Sequence, residues 1–168
     1  MASQTYELIT TNTLASAVSS VTLGSGSSIP QTYTDLVLVM HVSQNTGGSV
    51  AFIEINGDTD SNNYSLTEMG GVGTNTPTAN ARTSNTGWFW WVDGILTGFS
   101  NSFVGHFLSY RNSSHRRTML GTATHSNMNE IMMGLWNASN AITQLRIYVS
   151  SGSFQAGSVF SLYGIRAA

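Results

Sequence analysis

Lysine and cysteine are missing from these 168 residues, prolines number two, and only 8% of positions carry charge. Without cysteine there is no disulfide, no thiolate metal ligand and no cysteine nucleophile. The six basic residues are all arginine, and with eight acidic ones they leave a formal net charge of −2. Such a balance supplies no basic face to displace counterions, which excludes non-specific nucleic-acid binding. No run of about 18 apolar residues occurs, so no membrane partner is expected. The opening Met1-Ala2-Ser3-Gln4-Thr5-Tyr6-Glu7 has neither a basic n-region nor an apolar h-region. A secretory signal is therefore not expected, and synthesis in a cytoplasm is.

What fills the chain instead is 40% hydrophobic residues set among Ser, Thr, Asn and Gly. Short apolar runs recur near 6–9, 17–23, 35–42, 49–56, 87–92, 102–110, 118–124, 130–136, 144–150 and 158–165. In the clearest of them Leu145, Ile147 and Val149 alternate with Gln144, Arg146 and Tyr148, the period of a half-buried strand. Leu36-Val37-Leu38-Val39-Met40 is apolar on both faces and predicts a central strand covered on both sides. Turn sequences separate the runs, among them Asn56-Gly57-Asp58 and Ser151-Gly152-Ser153, where Gly and Asn supply positive φ. The stretch 59–86 is poor in apolar residues and reads as a long excursion with a short strand near 64–69. Helical periodicity is lacking. The pattern predicts an all-β protein, a single antiparallel β-sandwich of about ten strands, jelly-roll-like, over residues 1–168.

Three segments carry candidate chemistry. In Trp88-Phe89-Trp90-Trp91 a strand puts Trp88 and Trp90 on one face and Phe89 and Trp91 on the other. One pair can fill a core, and the other is available to a subunit interface or to a stacked sugar ring. The loop Arg111-Asn112-Ser113-Ser114-His115-Arg116-Arg117 holds three of the six arginines. It reads as a hydrophilic hairpin loop, or as a docking loop in which Arg111, His115, Arg116 and Arg117 meet an acidic neighbour. Asp58, Asp60 and Asn62 sit at alternate positions, as oxygen ligands do at the start of many calcium loops. Glu68 is out of register for the closing ligand, and a polar turn explains the same residues, so neither metal nor cofactor is expected. Catalytic residues are not expected either. Gly-x-Ser-x-Gly, P-loop and Gly-x-Gly-x-x-Gly patterns are absent, and His41, His106, His115 and His125 are scattered.

Several segments occur in a familiar order: Tyr6-Glu7-Leu8-Ile9, Ile29-Pro30-Gln31-Thr32-Tyr33, Asn56-Gly57-Asp58, Ala141-Ile142-Thr143 and Leu162-Tyr163-Gly164. Together they resemble the small β-sandwich virion structural proteins, decoration or fibre-associated, of tailed bacteriophages. The resemblance spans nearly the whole chain but does not include the tryptophan run or the arginine loop. It implies a non-enzymatic domain on the virion surface, made in the host bacterial cytoplasm and often a homo-oligomer. A capsid decoration protein, trimeric by analogy with local three-fold capsid sites and bound to the major capsid protein, is the first expectation. A carbohydrate-binding module of a tail fibre or baseplate, reading host surface glycans, is the second.

Overall fold

A computed structural model describes residues 5–24, 27–44, 49–73, 77–83, 86–95, 101–112, 114–125 and 128–166, with only the backbone at 72, 89–95 and 125. Among the described residues are twelve strands: β1 (Tyr6–Thr13), β2 (Ser20–Leu23), β3 (Asp35–Val42), β4 (Ser49–Ile55), β5 (Tyr64–Val72) and β6 (Thr78–Thr83), then β7 (Trp88–Ile95), β8 (Asn101–Leu108), β9 (Arg117–His125), β10 (Met128–Trp136), β11 (Leu145–Val149) and β12 (Val159–Ile165). One sheet has eight strands in the order β1-β12-β3-β8-β9-β10-β5-β6, and the other has four in the order β2-β11-β4-β7. Neighbouring strands are antiparallel throughout. The blocks β1-β12-β3-β8 and β2-β11-β4-β7 interleave as the two sheets of a jelly roll do. The remaining four strands, β9, β10, β5 and β6, are two hairpins that continue the larger sheet beyond β8. The expected sandwich is present, with more strands in one sheet than a plain jelly roll has.

Alternation sets the core. Leu36, Leu38 and Met40 of β3 are fully buried, as are Phe160 and Leu162 beside them on β12 and Ile147 and Leu145 opposite on β11. Each such side chain contributes about 1.5–3 kcal/mol by leaving water. Phe154 meets Phe160 edge-on at 5.1 Å. The stretch 59–86 differs from the sequence expectation. It contains a 3-10 turn (Ser61–Asn63) and the whole β5–β6 hairpin. Both strands evade the apolar period for a physical reason. On β5 the inward residues after Tyr64 and Leu66 are Glu68 and Gly70, with the Glu68 carboxylate held 3.0 Å from the Arg82 guanidinium. On β6 there is no large hydrophobic residue at all, which suits an edge strand.

The opposite edge is closed by charge. Glu7 on β1 accepts from the Arg166 guanidinium, with Oε1 to Nε at 2.6 Å and Oε2 to Nη2 at 3.1 Å, and from the Tyr33 hydroxyl at 3.0 Å. The Arg166 hydrogen bond first, and the Tyr33 hydroxyl second, hold the Glu7 carboxyl below its ordinary range. A carboxyl depressed in the folded state stabilises above the unfolded value, about 4.3, and that contribution is lost as pH falls through the folded value. Glu7→Gln should therefore flatten the acid side of a plot of melting temperature against pH. An unchanged acid limb would remove this role from Glu7.

The crossing from the large sheet to the small one, 137–144, is strapped by two side chains. Asn56 Oδ1 accepts from Thr143 N at 2.8 Å, Gln144 N at 3.0 Å and Thr143 Oγ1 at 3.1 Å, while its Nδ2 donates to Ala141 O at 2.7 Å. Arg117 donates to Asn140 O at 2.6 Å, to Ser139 O at 3.2 Å and to His115 O. Among the described residues no helix is long and apolar enough to cross a membrane.

Candidate functional site

An antiparallel sheet with one face on a core presents polar residues on the other face. The large sheet departs from that rule. On β10 the residues alternate so that Met128, Met132 and Trp136 point inward while Ile131 and Met133 point out, 62% and 53% exposed. Register carries the apolar character across the sheet. One transverse row runs Leu8, Tyr163, Val37, His106, Leu120, Met133, Thr67, Ala81 from β1 to β6. The next row runs Thr11, Ser161, Val39, Val104, Thr122, Ile131, Met69, Ala79. Every exposed large hydrophobic residue among those described lies on this face: Tyr6, Leu8, Met69, Val104, Leu120, Ile131 and Met133.

The face is also nearly free of charge. Its central ionisable pair is Asp35 and His106, whose Oδ2 and Nε2 stand 3.3 Å apart. Hydroxyls fill much of the rest and bond to one another, as Thr11 and Ser161 do at 2.9 Å. Between Thr67, Met69, Leu120, Ile131 and Met133 the surface dips into an apolar hollow of about 210 Å3. The small sheet is finished differently. There Tyr148 stacks on Phe52 at 5.0 Å, the Arg146 guanidinium lies over the Tyr148 ring at 4.6 Å, and Arg146 pairs with Glu54 at 3.0 Å. Contiguous apolar surface left uncovered on one sheet marks an interaction site.

Placement of the residues singled out from sequence is mixed. Trp88 is a core residue, 1% exposed, not an interface residue. Its indole donates to Leu135 O at 3.1 Å, meets Tyr64 edge-on at 6.2 Å and tilts against Phe107 at 5.8 Å. The side chains of Phe89, Trp90 and Trp91 lie outside the described residues. Their backbone pairs β7 with β4, Phe89 opposite Phe52 and Trp90 opposite Ala51. In the arginine loop, Arg111, His115 and Arg116 are exposed, but Arg117 is 1% exposed and serves the strap described above. Burial lowers its affinity for the proton. The docking set is thus corrected to Arg111, His115 and Arg116, because a guanidinium committed to three carbonyls is not presented to a neighbour.

The acidic turn is occupied by its own bonds. Asp58 Oδ1 accepts from Asp60 N at 2.9 Å, and its Oδ2 accepts from the Trp136 indole at 2.7 Å and from Asn63 Nδ2 at 2.9 Å. Asp60 Oδ1 caps the 3-10 turn through Asn62 N at 3.0 Å and takes Asn62 Nδ2 at 2.9 Å. These are Asx-type caps, and among the described residues no three His, Cys, Asp or Glu gather as metal ligands. The fold does bring two of the candidate loops together. Asn62 and Arg116 both line a cleft of about 360 Å3, together with Ser61, Asn63, Thr83, Leu135 and Asn137.

The sheet face itself was not among the sequence candidates. Its signal was nonetheless present in Ile131-Met132-Met133, a strand apolar on both sides in the same way as Leu36 to Met40. Compared with models of protein families and with curated proteins, the sequence matches none.

Proposed function

We propose that this chain is a non-enzymatic structural protein of a tailed-bacteriophage virion, a capsid decoration protein that works by surface contact. The observation that carries the reading is the uncovered apolar face of the large sheet, built on a jelly roll, an architecture used by viral capsid and lectin domains alike. Fold alone does not assign a role, so the weight falls on the surface. A hydroxyl-rich, lysine-free face is desolvated without stripping water from ammonium groups, which favours broad contacts with protein neighbours. The exposed Arg111 and Arg116 supply a second, electrostatic contact for acidic residues of a shell protein such as the major capsid protein. Copies of the chain itself are the other partner in this reading.

A second reading is favoured by the cleft that Asn62 and Arg116 line, whose amides, hydroxyls and guanidinium suit a hydrated glycan. In it the chain is a carbohydrate-binding module of a tail fibre or baseplate. Immunogold labelling of intact particles with an antibody to this chain separates the two. Regular labelling over the head is the expected result. Labelling confined to the tail would overturn decoration and make glycan titrations of an Arg116→Ala variant the next measurement. Absence from particles altogether would reject both.

A further inference from the structure

We infer that the outer face of the large sheet pairs with the same face of a second copy of this chain, about a two-fold axis parallel to the strands between β8 and β9. The inference rests on reading that face as an assembly surface, and not on which particle, or which part of it, the chain occupies.

Three properties select a second copy over an unlike partner. The first is charge. The face carries few ionisable groups, and the carboxylate of Asp35 already has a partner in His106 Nε2 at 3.3 Å, so few like charges oppose self-contact there. The second is size. Apolar positions from β1 to β5 span roughly 30 Å across the strands and roughly 20 Å along them, near the footprint that a standard interface needs on each partner.

The third is relief. Ile131, Met133 and Met69 stand up from the far half of the face, each more than half exposed, whereas Val37 and Ser161 in the near half are 8% and 9% exposed. A two-fold axis along the strands, placed between β8 and β9, superimposes the third strand of the order on the sixth and the second on the seventh. Met133 then lies over Val37, Ile131 over Val39 and Met69 over Ser161, ridge into trough. Both halves of this match come from one surface, which is what an isologous interface requires. Flexible methionines adapt to the twist of two stacked sheets, which pack about 10 Å apart at about 30°.

Sedimentation of the purified chain from about 1 to 100 µM tests the pairing, with a reversible dimer expected. Ile131→Asp should weaken the dimer more than about thirtyfold while circular dichroism and the melting curve stay native, since the residue faces water in the monomer. Because the chain has no cysteine, a second measurement is clean. The double variant Val39→Cys, Ile131→Cys should join two chains through a thiol-to-thiol crosslinker too short to bridge the roughly 14 Å, three strand spacings, between these positions in one chain. Neither single variant should link. A monomer over the whole range, a trimer, or crosslinking by either single cysteine would overturn the inference. A monomer that still decorates heads would overturn it alone and leave the proposed function standing.

Discussion

Trp88→Ala is expected to cost about 3–5 kcal/mol of folding free energy, the range for removing a large aromatic from a close-packed core. The site cannot collapse to fill the space. Its indole is bounded by Tyr64 edge-on, by Phe107 and by the backbone of Gly134, where a Cβ would stand 2.7 Å from the ring. The substitution also strands the Leu135 carbonyl, which the indole serves at 3.1 Å. Gly134→Ala, made from the other side of the same contact, should destabilise by overpacking, about 1–3 kcal/mol. Urea unfolding followed by circular dichroism measures both. A loss under about 1 kcal/mol for Trp88→Ala would mean that this residue is not the pillar between the small sheet and the β9–β10 hairpin.

Asn56→Ala should be nearly as severe, about 3 kcal/mol or more. Two effects combine. The side chain makes four hydrogen bonds that hold 141–144 in place, each worth about 1 kcal/mol net. The backbone at Asn56 has φ of 54°, a left-handed conformation that Asn tolerates and Ala adopts at a cost of roughly 1–2 kcal/mol. Asn56→Gly separates the two, because it relieves the backbone term and keeps only the hydrogen-bond loss. Alanine and glycine variants of equal stability would show that the backbone term is absent. If both stay near wild type, the strap is not what holds the crossing between the sheets.

The sandwich was legible in the sequence wherever inward residues are apolar. Leu145, Ile147 and Val149 reveal β11 at once, and Leu36 to Met40 mark β3 as central. Legibility failed on β5 and β6, where inward positions are Glu68, Gly70 and Arg82. There an ion pair between the buried Glu68 carboxylate and the part-exposed Arg82 replaces the hydrophobic residues that a period search detects. Function was less legible than fold. The tryptophan run drew attention because aromatic residues are rare and large, yet Trp88 is core. The arginine loop likewise mixed one buried strut, Arg117, with exposed cations. The broad apolar face lies on separate strands, and only register assembles it. No single segment could display Ile131 beside Leu120 and Met69.

The edge position of β1 bears on the order in which this protein is made. Among the described strands β1 pairs with β12 alone, the last of them in sequence, and β12 is also what joins β1 to β3. The nascent chain must therefore hold its first strand unpaired, and the flank of β3 open, until synthesis of the sandwich is almost finished. Pairings between strands so distant in sequence form slowly and leave strand edges available for wrong partners. An open edge and a sticky face presented together to other nascent copies favour misassembly. Folding should consequently be most vulnerable after β10, which adds Ile131 and Met133 to the apolar face, and before β12 closes the sheet. Ribosome-bound chains stalled before β12 should engage holdase chaperones, and chains stalled far enough beyond it to clear the exit tunnel should release them.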